Sequence, residues 1–273
     1  MGFSCASVAM VSRQAEVLSS SLVSTLDLWR GTMLLQATPQ PAKTIALYDI
    51  EGDAACRQVR EVLTALGLDA VIYPCPVGGT RYRAKAEALS DGAGVPLLVD
   101  NNTGATLTDA AAIVAYLFRT YADCDPPRSY RSYALAGRLA GLGSALRDGR
   151  GVNVRPARRP RKRLVLWSFE SSPYSRLVRE RLTELELAYT LHNVGKERVG
   201  ELGPAALRLR PGPYTPRPGG RRAAMLAHAG RVQLPYLEDP NTGAALFESK
   251  TIVDYLEQHY ALPGPTGKAD GRS

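Results

Sequence analysis

Two serines, an aspartate and two cysteines stand where a short chain can do thiol or carboxylate chemistry. Asp53 and Ser172 each precede an amphipathic run, and both are good N-cap residues; Pro173 after Ser172 suits the first helical position. A cap on an ordinary helix accounts for both. Cys56 then falls in the first turn of its helix. There the positive end of the helix dipole and the neighbouring Arg57 and Arg60 would favour a thiolate. The alternative is a buried, inert thiol. Cys75 follows the next strand and is expected near Cys56, although a disulfide needs Cα atoms within about 7 Å. Glu248 and Ser249 open a later helix, whose free N–H groups favour a bound carboxylate. Glu248 also reads as a surface charge complementing the dipole.

The elements that position these residues come from an internal repeat. Residues 44–70 match 163–189 at ten of 27 positions, and residues 101–122 match 240–261 at eleven of 22. Average composition would give about one or two in each window. The first window repeats charged residues as well as apolar ones: Glu51, Arg57, Arg60 and Glu61 recur as Glu170, Arg176, Arg179 and Glu180. The offset grows from 119 to 139. The second copy therefore holds an insertion, placed in the Pro- and Arg-rich stretch Arg208–Arg222 and expected to be an exposed loop.

Each copy reads as strand, helix, strand, a variable helical part, two strands and a helix. The strands begin at Ile45–Tyr48 and Leu164–Phe169. Val59, Leu63 and Leu66, with Val178, Leu182 and Leu185, mark the helix faces. Asn-Thr-Gly supplies a hairpin turn in both copies, and short strand-helix-strand links imply right-handed parallel units.

This order resembles the thioredoxin-like fold, and more closely the N-terminal domain of glutathione transferases and the glutaredoxins. Ser172-Pro173-Tyr174-Ser175-Arg176-Leu177-Val178-Arg179 is similar to a glutaredoxin CPYC motif with both cysteines replaced by serine. Leu234-Pro235 and Phe247-Glu248-Ser249 resemble the Val-Pro and Glu-Ser signatures of glutathione sites. In the first copy Asp53-Ala54-Ala55-Cys56 keeps only the second cysteine, and Val95-Pro96 and Asp109-Ala110 stand at the equivalent positions. Tyr73-Pro74-Cys75-Pro76 and the paired Asn-Thr-Gly turns are similar to plant and algal chloroplast proteins with two such domains.

The resemblance implies an α/β chain of two tandem thioredoxin-like domains, each β-α-β-α-β-β-α, over residues 44–122 and 163–261. It implies that Pro96 and Pro235 are cis. It also implies glutathione as ligand or cosubstrate, with its cysteinyl part pairing beside Leu234 and its γ-glutamyl end at Glu248 and Ser249. Tyr174 is placed in that site, and Ser172 would donate to the thiolate of bound glutathione. The second copy is the better binding half, because Asp109-Ala110 lacks the hydroxyl. Three functions stay open: a non-catalytic or weakly active glutathione-binding protein with Cys56 or Cys75 as a redox-sensitive thiol; a serine-type glutathione transferase or one-cysteine glutaredoxin; and an interaction scaffold with an unidentified protein partner. Against the transferase, neither copy is followed by room for a helical substrate domain.

Four cysteines without CxxC and three histidines argue against a metal site. No run reaches the ~18 apolar residues of a membrane span. The stretch 123–163 carries eleven basic and three acidic residues and so the whole net charge of +8. Its core, Arg155–Arg163, lacks interleaved aromatic residues and reads as a solvated linker rather than a nucleic-acid or membrane surface. Residues 128–147 look helical and are expected to pack between the copies. Residues 1–43 lie outside the repeat. They are Ser-rich and somewhat like a chloroplast transit segment, the alternative location being cytoplasmic, while Ala15–Leu35 also reads as an amphipathic helix. Residues 262–273 read as a disordered tail.

Overall fold

A computed structural model describes residues 30–131, 149–201 and 214–263. The first half runs β1 (Ile45–Asp49), α1 (Ala54–Leu66), β2 (Ala70–Pro74), α2 (Arg83–Leu89), β3 (Leu97–Asp100), β4 (Ala105–Leu107) and α3 (Ala110–Tyr121). A short helix α4 (Arg128–Arg131) follows. The second half runs β5 (Leu164–Ser168), α5 (Pro173–Glu184), β6 (Tyr189–Asn193), a 3-10 turn, α6 (Arg221–Ala229), β7 (Tyr236–Asp239), β8 (Ala244–Phe247) and α7 (Ser249–Tyr260). Each half is thus a mixed α/β thioredoxin-like unit, its first two strands parallel and the rest antiparallel.

Local chemistry sets the helix ends. Asp53 caps α1 by accepting from the Cys56 N–H at 2.8 Å, and Gly67 closes it at φ 64°. Ser172 caps α5 by accepting from the Ser175 N–H at 3.2 Å, with Pro173 in the first turn. These side chains satisfy donors that the helix itself leaves unpaired. In the hairpins, Asp100 accepts from Asn102 and Asp239 from Asn241, and each also accepts from two tyrosines of the closing helix.

The two halves share one sheet. Its order is β4-β3-β1-β2-β6-β5-β7-β8, because β2 pairs antiparallel with β6 in the register Ala70↔Leu191, Val71↔Thr190 and Ile72↔Tyr189. Edge strands left open are a liability; here each half covers the other's. The apolar core runs without a break from Ile45, Val59 and Leu63 to Leu164, Leu182, Tyr189 and Ile252.

The segments before each half are part of the fold. Residues 30–35 cross to the second half: Met33 pairs with Lys196, and the Lys196 N–H donates to Thr32 at 2.7 Å. Residues 149–154 cross to the first half, where Asn153 pairs with Val77 and the Gly52 N–H donates to Gly151 at 3.1 Å. Gly31 and Gly151 sit at φ 70°, where added Cβ atoms would lie 2.8 Å from Glu170 and 3.0 Å from Glu180. These exchanged straps correct two expectations. Residues 30–43 are not an appended extension, and Arg30–Leu35 is turn and extended chain rather than the end of an amphipathic helix; the remainder of Ala15–Leu35 lies outside the described residues. The Arg208–Arg222 loop also stops short, since Arg221 and Arg222 begin α6 and Arg222 is buried. Of the helix expected over 128–147, only Arg128–Arg131 lies within the described residues.

Candidate functional site

The repeated charges that the sequence left without a role close the junction between halves. The Arg60 guanidinium donates to both oxygens of Asp49 at 2.5 and 2.7 Å and to Glu170 of the other half at 3.0 Å. Arg179 donates to Glu51 at 2.9–3.1 Å and lies 3.1 Å from Glu170. Glu51 and Glu170 correspond in the repeat, as do Arg60 and Arg179, so the contact is reciprocal in the manner of a two-fold interface. All are at least nine-tenths buried. Burial acts against both charges, but the guanidiniums hold Glu170 down at about 2. Asp49 is pushed up to about 6 by burial, with Glu51 and Glu170 adding to the rise and Arg60 opposing it.

This arrangement corrects the reading of the cysteines. Arg57 is turned to Glu61 at 3.3 Å and Arg60 to the junction, and the pull of Arg60 on the Cys56 thiol is outweighed. Cys56 is fully buried, and burial together with Asp49 and Asp53 pushes its thiol well above the ordinary range. Its Sγ accepts from the Ile50 N–H at 3.4 Å. Cys75 is fully buried too, and burial pushes its thiol up to about 12. Both pack in one apolar cluster with Tyr48, Ala86 and Leu97, and both are free thiols. A redox-sensitive pair needs an accessible thiolate, which this environment opposes.

Ser172 is also enclosed. It is 3 % exposed, because the strap before the first half crosses the start of α5. There the Ser171 N–H donates to the Gly31 carbonyl at 3.2 Å, and the Ser171 and Thr32 hydroxyls are hydrogen-bonded. Ser172 therefore serves as the cap, and Tyr174 beside it is 47 % exposed.

The remaining residues come together at one end of the second half's sheet. Trp167, Tyr236 and Phe247 lie side by side on β5, β7 and β8. Pro235 precedes Tyr236, Glu248 follows Phe247, and the turn into α5 follows β5. Both Val95–Pro96 and Leu234–Pro235 are cis. Neither Val95 nor Leu234 has a backbone hydrogen bond among the described residues, which leaves an extended ligand room to pair there.

The two halves differ at the last helix. In the first, Asp109 adopts φ −84° and its carboxylate caps α3, accepting from Ala112 N–H at 2.8 Å. In the second, Glu248 sits at φ 69°, ψ 121° and makes no cap. Its carboxylate instead accepts from the Gln233 amide. A non-glycine residue there costs about 1–3 kcal/mol, the kind of strain that collects at ligand sites. The Ser249 residue is 2 % exposed, and its hydroxyl has no hydrogen-bond partner among the described residues. α7 thus presents open N–H groups, a favourable dipole and an unsatisfied hydroxyl, a set of donors suited to a carboxylate. Arg231 lies over the Phe247 ring at 3.8 Å, adding positive charge nearby. Gln233, Arg231 and the strap were not singled out from the sequence. The repeat held a signal for the strap, because Arg30-Gly31 recurs as Arg150-Gly151. Gln233 and Arg231 fall in the variable part and had none.

The family comparison agrees with this architecture. The family model described as glutathione S-transferase, N-terminal domain, matches twice, over residues 47–127 and 166–265. No curated protein matches the chain by sequence. Among solved structures, the chain is similar to Leishmania TDR1, described as a unique trimeric glutathione transferase, at 13 % identity and a TM-score of 0.26. That match covers 85 % of this chain and 70 % of the other.

Proposed function

Because the chain belongs to the family of glutathione S-transferase N-terminal domains, we propose that its second half binds glutathione and that neither half activates the thiol. The γ-glutamyl carboxylate would lie at the start of α7, taking the Ser249 hydroxyl and the free N–H groups. The cysteinyl backbone would pair with Leu234. The observation that carries this reading is the contrast between matching turns: Asp109 closes α3 on itself, whereas α7 is left open above a buried, unpartnered Ser249. Ser172 is taken up as the cap of α5 and the thiols of Cys56 and Cys75 are buried, which supports a binding role over transferase or thiol-exchange chemistry. Calorimetric titration with reduced glutathione tests it. Ser249→Ala should weaken binding about tenfold, the value of a hydrogen bond to a charged group, while Ala110→Ser should change nothing. Equal affinity in the wild type and Ser249→Ala would end this assignment.

A further inference from the structure

The segment Arg155–Arg163 holds six cations in nine residues. One is engaged: Arg155 makes a two-pronged contact with Glu257 at 2.7 and 3.1 Å. The other five, Arg158, Arg159, Arg161, Lys162 and Arg163, are exposed and have no carboxylate partner among the described residues. The expectation of a solvated linker fails for the backbone, which is fixed. Arg158 N–H donates to the Tyr260 carbonyl at 2.7 Å, and Leu262 N–H to Pro156 at 2.9 Å. Lys162 exchanges two hydrogen bonds with Asn241, at 2.8 and 2.9 Å. From the first half, the Arg81 guanidinium donates to the carbonyls of Ala157 and Arg158.

The repeat supplies an internal control. The equivalent chain before β1, residues 36–43, makes the same exchange, Lys43 with Asn102 at 2.8 and 2.7 Å. It further bonds Thr38 to Leu66 and Gln40 to Gly67. It does so with Lys43 as its one cation. The strap's structural work therefore needs no charge, and five exposed like charges repel one another.

The aromatic residues missing from this stretch arrive from the first half. Arg163 Nη1 lies 3.3 Å from the Tyr73 hydroxyl. Tyr73 stacks on Tyr48 at 4.9 Å and meets Tyr82 at 5.3 Å, and both Tyr73 and Tyr82 are partly exposed. Four of the five free cations are arginines, whose planar fork matches phosphate oxygens. The rest of the strap is Pro156, Ala157 and Pro160, so it has no large apolar side chain to insert into a bilayer. A row of arginines beside aromatic rings is the combination that holds single-stranded nucleic acid without sequence preference.

We infer that the strap 156–163, with Tyr73 and Tyr82, is a binding surface for single-stranded nucleic acid. The five cations hold consecutive phosphates and the tyrosines meet a base. This surface is separate from the glutathione assignment and does not rest on it. Fluorescence anisotropy of labelled 20-nucleotide oligo-dT and oligo-U with the whole chain tests it. Five phosphate contacts predict affinity about a hundredfold lower at 200 mM than at 50 mM salt. Changing all five cations to Gln should weaken binding at 50 mM at least tenfold and flatten that dependence. Tyr82→Ala should weaken it about tenfold and leave the salt slope unchanged. Arg159→Gln/Arg161→Gln/Lys162→Gln, whose side chains make no hydrogen bond or ion pair among the described residues, guards against misfolding and should show an intermediate loss. Absence of binding at 50 mM, or equal binding by the variants, overturns the proposal. So does binding to phosphatidylserine vesicles without binding to either oligonucleotide, which would make the strap a membrane contact.

Discussion

Arg179→Met probes the junction that joins the two halves. The guanidinium is 1 % exposed and serves Glu51, Glu170, the Ser168 hydroxyl and the Phe169 and Glu170 carbonyls. Methionine fills similar space and supplies none of these donors. Arg60 still reaches Glu170 at 3.0 Å and Glu51 at 3.3 Å, but it already carries Asp49. Two buried carboxylates would then lose their direct partner and rely on the occupied Arg60, helped by the charges of Arg57 and Arg176. Breaking a buried pair in this way costs about 3–5 kcal/mol, a large part of a typical total of about 5–15 kcal/mol. With a urea dependence of about 3 kcal/mol per molar, the unfolding midpoint should fall by about 1–1.5 M. Since the core is continuous, near- and far-ultraviolet dichroism should report one transition in both proteins. Adding Glu51→Gln to the variant should recover stability, because it removes the stranded charge, and the two effects should therefore be strongly non-additive. A midpoint shift below about 0.3 M, or simple additivity, would refute the argument that these charges are mutually compensated.

Other outcomes follow from the same geometry. Asp49 is held near 6 in the folded chain against an ordinary 3.8. Its contribution to stability is therefore complete below about pH 4 and lost as pH rises through 6, a decline on the order of 2–3 kcal/mol. Asp49→Asn should abolish that decline in urea titrations at pH 4 and pH 7; an unchanged slope contradicts it. Gly31→Ala should destabilise by about 1–3 kcal/mol, from its φ and the 2.8 Å approach to Glu170. Gly230→Ala, with φ 73° and open space around it, should cost less, and equal losses would show that the strap contact adds nothing. In a Cys5→Ser/Cys124→Ser background, Cys56 and Cys75 should resist Ellman's reagent at pH 8 until urea unfolds the chain. Prompt reaction of either thiol would restore it as a redox candidate.

The repeat made the element order legible, because Val59, Leu63, Leu66 and their partners kept both spacing and identity. The hairpins were legible for the same reason, Asn-Thr-Gly being a local signal. The joining of β2 to β6 was not, since it is made by backbone groups. The one hint was an edge strand, Ala70–Pro74, without a charge to guard it. The recurrence of Glu51, Arg57, Arg60 and Glu61 was visible, but its reason lies in contacts between residues more than a hundred positions apart. Cys56 misled because helix position and cationic neighbours favour a thiolate only when the cations are free. Here Glu61, Asp49 and Glu170 take them. At α7, Glu248-Ser249 was read as a carboxylate site from residue types alone, and the open turn that distinguishes it from Asp109 is a matter of backbone conformation.

The proposed glutathione site lies in the second half alone. Its most direct test is a titration of the 15N-labelled chain with reduced glutathione, followed by amide chemical shifts. Saturable shifts are expected at Leu234, Ser249 and Lys250, with Val95, Ala110 and Ala111 unmoved. Shifts centred on the first half, or none anywhere in a folded protein at millimolar glutathione, would contradict it.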